Sequence, residues 1–185
     1  MLPIDPDDLH RFTRHEYHQL GQLGIFEHDR VELVHGLVRH KRPIAPHHAY
    51  SVDQLAEVLF GAVGPRGRVR IQQPVAASEH SEPEPDVAVC PRGTYLSDHP
   101  AEAWLVVEVA QASLSYDRTE KAALYAAMGV PDYWVVNLVD GVIEVYREPG
   151  TEGYAHVEVL HPGASVRLLA LSGVVVEVSD ILPPS

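Results

Sequence analysis

The sequence predicts a mixed α/β domain with one sheet at its centre, and three observations carry that reading. Short apolar runs near 68–77, 86–90, 105–110, 133–139 and 142–147 have the length and alternation of strands. Residues 47–63 and the stretch after 113 repeat their apolar positions with the 3.6-residue period of helices. The second of these helices lies between two strands, giving a β-α-β unit, and strands alone follow it as an antiparallel meander.

Taken in order, residues 7–23 read as an opening helix. Thr13 and Glu16 have capping-box spacing, Tyr17, Leu20 and Leu23 supply an apolar side, and Gly24 ends it. Residues 30–42, RVELVHGLVRHKR, read as a hairpin turning at His35-Gly36, with Glu32 in its first strand. Pro43 and Pro46 close that unit. The helix over 47–63 places Val52, Leu55, Ala56, Leu59 and Val63 on one side, and Pro65-Arg66-Gly67 breaks it. Residues 68–77 read as a strand with a proline bend. SEHSEPEP, at 78–85, is expected at the surface because its acids and prolines offer little to pack. It leads to Asp86, the first position of the strand 86–90; residues 91–100 read as loop. Trp104 to Gly129 reads as strand, turn and helix, with Gly129 at the helix C′ position and Pro131 beyond. Asp140-Gly141 is a two-residue hairpin signal between strands 133–139 and 142–147. Further strands are expected at 154–160, 166–169 and 174–178.

Length and composition bound the function. A chain of 185 residues, 45% apolar, is expected to be one domain over 1–185. No apolar run reaches the roughly 18–20 residues a membrane helix needs. The first residues, MLPIDPDDLHRF, contain no apolar signal region, so a cytoplasmic location is the expectation. A single cysteine, Cys90, excludes an internal disulfide and any multi-cysteine metal site. The net charge of −12 argues against binding nucleic acid by bulk electrostatics, while leaving room for a local basic rim. Eight of the twelve histidines fall within the first 48 residues, without a metal-ligand spacing such as HExxH.

The candidate chemistry lies in WLVVEVAQASLSYDRTEKAALYAAMG, residues 104–129. Alternation points Leu105, Val107 and Val109 one way and Val106, Glu108 and Ala110 the other. Lys121 lies three, four and seven residues before Leu124, Tyr125 and Met128, on the helix stripe that should face the sheet. An unpaired buried ion costs several kcal/mol, so both charges need a reason to be there. Asp86, opening a neighbouring strand, would project from the sheet's end into a cleft. Two carboxylates and a lysine converging on one point suit Mg²⁺-assisted phosphodiester hydrolysis. Residue types alone leave an alternative equally open. Glu108 and Lys121 could form a structural ion pair, Asp117 could partner Lys121 along the helix, and Asp86 could be a turn residue.

PDVAV, then LVVEV, then YDRTEKAALYAAMGVPDYWVVN, together with RVELVHGLV and His48 at the start of the second helix, resemble the Uma-two family. These are restriction-endonuclease-like proteins of the PD-(D/E)XK nuclease superfamily, and the resemblance runs over about residues 10–180. It implies a restriction-endonuclease-like α/β fold, a central mixed sheet flanked by helices with an added antiparallel meander. It also implies an endonuclease that hydrolyses DNA with Mg²⁺, for which Mn²⁺ could substitute. Asp86 matches the aspartate of the PD half-motif and Glu108 the acid of the second, both as metal ligands; the backbone carbonyl of Val109 is a further expected ligand. The lysine two residues after the acid in the superfamily is replaced here by Ala110, and Lys121 matches the position to which that lysine moves in this family. Glu32 matches an acid that can complete the metal site. The family's E-V-x-S-P-S-T is here Glu108-Val109-Ala110-Gln111-Ala112-Ser113-Leu114, without its Pro and Thr. The resemblance makes DNA the expected substrate and a homodimer compatible, with strand 142–147 as an edge for pairing. A catalytically silent nuclease-fold module that binds nucleic acid or a protein partner is the alternative, and an enzyme for a small phosphorylated substrate is a third reading.

Overall fold

A computed structural model describes residues 8–184. The chain opens with α1 (Arg14–Gln22). The expected helix start at Asp7 lies outside the described residues. Within them the helix waits until Thr13, whose side chain accepts from the Glu16 amide while Glu16 reaches back to the Thr13 amide, the reciprocal capping box. No residue of α1 is buried, and Leu23 is 76% exposed, so the expected apolar side is not a core face. Strands β1 (Val31–Val34) and β2 (Leu37–His40) form their own two-stranded sheet, turning at His35-Gly36 as the sequence predicts. Both turn residues have positive φ, 51° and 74°.

Gly36 shows why that turn is fixed. Its amide donates to His80 O at 2.7 Å and its carbonyl accepts from the Phe12 amide at 3.0 Å. A Cβ at this position would lie 2.6 Å from Arg11 Cβ and 2.8 Å from Arg11 Cα. Gly36→Ala is therefore expected to cost about 1–3 kcal/mol in a urea melt, through overpacking and left-handed strain. His35→Gly, at a position whose φ glycine readily adopts, should be near neutral.

Helix α2 (Pro46–Val63) buries Val52, Leu55, Leu59 and Val63 against the main sheet. That sheet has six strands in the order β3-β4-β5-β6-β7-β8: β3 (Arg68–Ile71), β4 (Val87–Cys90), β5 (Leu105–Ala110), β6 (Asp132–Asn137), β7 (Val142–Gly150) and β8 (Gly153–Leu160). Every pairing is antiparallel except β5 with β6, the parallel pair of the β-α-β unit. Strand β3 stops at Ile71, because Gln72 turns out with φ 48° before Pro74, rather than running to 77. Asp140-Gly141 is half of a four-residue connection, since Asn137 pairs with Val142. Strands β9 (Ser165–Arg167) and β10 (Val175–Glu177) form a separate hairpin, followed by α5 (Val178–Ile181). The free edge beyond β7 is β8, so segment 142–147, expected as an edge, is an interior strand. Among the described residues no helix is long and apolar enough to cross a membrane.

The sheet has two packed faces. Leu105, Val107 and Val109 join α2 and the β9–β10 hairpin in one core; Val106 and Ala110 join Tyr125, Tyr133 and Val135 in the other. That is the alternation predicted for β5. The helical segment on the second face is composite: α3 (Leu114–Tyr116), a π turn (Asp117–Lys121) and α4 (Ala122–Ala127). The periodicity predicted a plain helix. The π turn widens the coil, a distortion found preferentially at functional sites, and leaves Asp117 and Lys121 both buried. Gly129, φ 79°, ends the helix as predicted.

SEHSEPEP is the largest departure from the sequence expectation. Ser81, Glu82, Pro83 and Pro85 are buried. The Glu82 amide donates to Leu33 O at 2.8 Å and its carboxylate meets Arg14 and His18, so neighbours in the fold satisfy polar groups that look unpackable in sequence.

Candidate active site

Strand register brings the acids together. Val87 pairs with Val107, and the same register continued by one residue sets Asp86 opposite Glu108. Asp86 then accepts through Oδ2 from the Val109 amide at 2.8 Å and from His48 Nε2 at 3.0 Å. Gln72 Nε2 donates to its Oδ1 at 3.3 Å. Glu108 accepts at Oε1 from Lys121 Nζ at 3.2 Å and Tyr125 OH at 2.8 Å. Lys121 Nζ also donates to Glu32 Oε2 at 2.6 Å, and Glu32 accepts in turn from the Glu84 amide at 3.1 Å. All the sequence-predicted residues, Glu32, Asp86, Glu108, Val109 and Lys121, line one cavity of about 500 Å³.

The expected Glu108–Lys121 ion pair forms, and it lies within the group of predicted residues. Four carboxylates are buried here: Glu32, Glu108 and Asp117 around the Lys121 ammonium, itself 3% exposed, and Asp86 beside His48, with Lys41 as its nearer ammonium. Burial resists ionisation of Asp86, but the His48 contact and the Val109 amide outweigh it and hold the carboxyl below its usual range. Burial pushes Glu108 up to about 8; Lys121 opposes that rise, while Asp86, Asp117 and Glu32 add to it. Burial likewise pushes Asp117 up to about 6. For Lys121 burial favours the neutral amine, yet Glu108 and Glu32 outweigh it and raise the pKa. Lys121 is therefore a fixed cation rather than a proton acceptor at neutral pH. Lys121 cannot balance Glu32, Glu108 and Asp117 alone, and Glu108 answers by holding its proton. The carboxylate oxygens are hard donors of the kind Mg²⁺ and Mn²⁺ take, so the donor set fits such an ion.

The cavity wall has the opposite sign. Arg30, Arg39, Lys41 and Arg42, four of the chain's fourteen lysines and arginines, line it from the β1–β2 hairpin and its flanks. Arg39 pairs across the hairpin with Glu32, which puts both on one face. Its guanidinium lies 3.5 Å from the Tyr116 ring centroid. Lys41 is tied to Glu84 at 2.6 Å. Among the described residues, three polar atoms on cavity-lining residues are buried without a hydrogen-bond partner: Arg39 Nη1, His48 Nδ1 and Tyr116 OH.

Sequence reading missed Gln72, Tyr125 and Arg39 as members of the site and treated Asp117 only as a helix partner of Lys121. Tyr125 and Asp117 carry a usable signal, since each stands four residues from Lys121 on the same stripe. Gln72 carries none; it reaches Asp86 only because the chain turns out of β3. His48 is visible in sequence only through the family resemblance.

Residues 14–179 match the model of the Uma2 (Uma-two) family, described as "Putative restriction endonuclease". A crystal structure from Anabaena variabilis ATCC 29413, described as a "putative nuclease belonging to DUF820", shares the fold. It superposes with a TM-score of 0.68 at 18% identity, over 82% of this chain and 88% of that one. No curated protein gives a significant match.

Proposed function

Because the chain belongs to the Uma2 family, we propose that this cavity hydrolyses phosphodiester bonds of DNA in a reaction that depends on a divalent metal, Mg²⁺ or Mn²⁺. The observation that carries the reading is the charge layout. An excess of buried carboxylates, which calls for a cation, lies beneath a wall carrying Arg30, Arg39, Lys41 and Arg42, which calls for an anion. A metal ion beside a phosphate is the pair of ligands that answers both. When bound, such an ion polarises the phosphate and lowers the pKa of a bound water.

Asp86 and Glu108, with the Val109 carbonyl, would hold the metal. His48 and the Val109 amide fix the Asp86 carboxylate, so its orientation is set before any ligand arrives. Glu32 neighbours the set and, through Lys121, joins it to the hairpin. Lys121 stays charged; its role is to orient the attacking water and offset negative charge that develops during attack. Tyr125 donates to Glu108 and limits the directions that carboxylate can take. Arg39 and Arg42 would bind backbone phosphates flanking the cleaved bond, a local answer to the overall −12. The cytoplasm is where such a substrate would be met. A homodimer, which cutting two strands would use, would pair through β8 rather than 142–147. The acidic surface favours the other reading, a silent module that binds nucleic acid or a protein partner.

Supercoiled plasmid separates the two. With Mg²⁺ or Mn²⁺ the wild type should nick or linearise it, and a chelator should stop the reaction. Nuclease-free behaviour under both metals would sink the catalytic reading and leave the module.

A further inference from the structure

Away from the nuclease cavity, three side chains from three separate segments converge. His18 comes from α1, Glu82 from the segment leading to β4, and His99 from the loop before β5. Their nearest ligand atoms all lie within 4.8 Å of one another. Glu82 Oε1 is 2.6 Å from His18 Nε2 and 3.8 Å from His99 Nε2. None of the three lines the cavity described above.

We propose that His18, Glu82 and His99 form a second metal site, for a borderline ion such as Zn²⁺, that ties α1 and the loop before β5 to the segment carrying Asp86. Two imidazoles and one carboxylate make an N₂O set, which suits Zn²⁺ and its transition-metal neighbours rather than Mg²⁺. Three protein ligands leave a fourth position for water. The outer contacts also fit. Glu82 is 3% exposed, and its other oxygen, Oε2, accepts from Arg14 Nε at 2.7 Å. Arg14 is held in turn by Asp98. A hydrogen-bonded second oxygen is what orients a ligating carboxylate. Arg70 Nη2 approaches His99 Nδ1 at 3.4 Å and also donates to Pro74 O at 3.3 Å. A metal on Nε2 puts the ring proton on Nδ1, so Arg70 would keep the Pro74 contact and give up the histidine. The Glu82 amide is bonded to Leu33 of β1, and Asp86 follows four residues later. An ion here would therefore brace both the hairpin and the approach to the cavity.

The test uses the full chain, stripped with a chelator and then titrated with Zn²⁺ by calorimetry and with Co²⁺ by visible absorption. With the cavity acids kept occupied by excess Mg²⁺, one equivalent of Zn²⁺ should bind and raise the thermal midpoint, and Co²⁺ should give the d–d bands of a four- or five-coordinate site. His18→Ala and His99→Ala, at partly exposed positions, should each weaken binding by at least about 100-fold, while Asp86→Asn should leave it unchanged. Absence of stoichiometric Zn²⁺ binding would overturn the proposal. So would binding that survives His18→Ala and His99→Ala but is lost in Asp86→Asn, since the ion would then belong to the nuclease cavity.

Discussion

Lys121→Met is expected to destabilise the protein by about 3–5 kcal/mol at pH 8, the usual cost of breaking a buried ion network from one side. Lys121 is the buried ammonium facing Glu32, Glu108 and Asp117, and it joins the π turn to the hairpin through Glu32 at 2.6 Å. The loss should be smaller at pH 6, where the acids left behind can take up protons. Glu32→Gln in the same chain should recover at least half of it, because a glutamine oxygen can still accept from the Glu84 amide. Urea denaturation of the four members of that cycle measures the coupling. A single variant as stable as the wild type would show that the network does not hold the two parts together.

Glu108→Gln should act in the opposite sense on stability, and the pH dependence is the signature. The Glu108 carboxyl rises from an ordinary 4.5 to about 8 on folding. Between those values the unfolded chain has released the proton and the folded chain still holds it. Stability therefore falls as pH rises from 4.5 to 8, at up to about 1.4 kcal/mol per unit. Glutamine removes that dependence. The variant should be close to wild type near pH 4.5 and more stable by a few kcal/mol above pH 8, read from urea melts across the range. Equal stability at both ends would mean that Glu108 ionises freely in the fold. The same shift links metal to protons: binding at pH 7 should release one, as the ligand must ionise.

The parts of this site that could be read from sequence are those set by local periodicity. Alternation along β5 put Glu108 on the Ala110 face, and helical spacing put Lys121 on the stripe of Leu124 and Tyr125; both positions hold. The capping box at Thr13 and the turn at His35-Gly36 hold for the same reason, since their chemistry lies within four residues. What depends on distant partners was not legible. Glu82 looks like a surface acid until Arg14, 68 residues earlier, is beside it. The π turn at Asp117–Lys121 leaves no mark on a 3.6-residue pattern, and whether 142–147 is an edge depends on where β8 returns. Asp86 reaching Glu108 is a matter of register between β4 and β5, which no single strand encodes.

Stability and activity should part company at Glu108, and that makes one comparison decisive. At pH 8, with Mg²⁺ or Mn²⁺, the nicking rate of supercoiled DNA by Glu108→Gln is to be set against that of wild type, with the fold of each checked by its melt. The variant should be at least as stable as the wild type and slower by about 100-fold or more. A folded Glu108→Gln protein that cuts as fast as the wild type would rule out Glu108 as a metal ligand in the reaction.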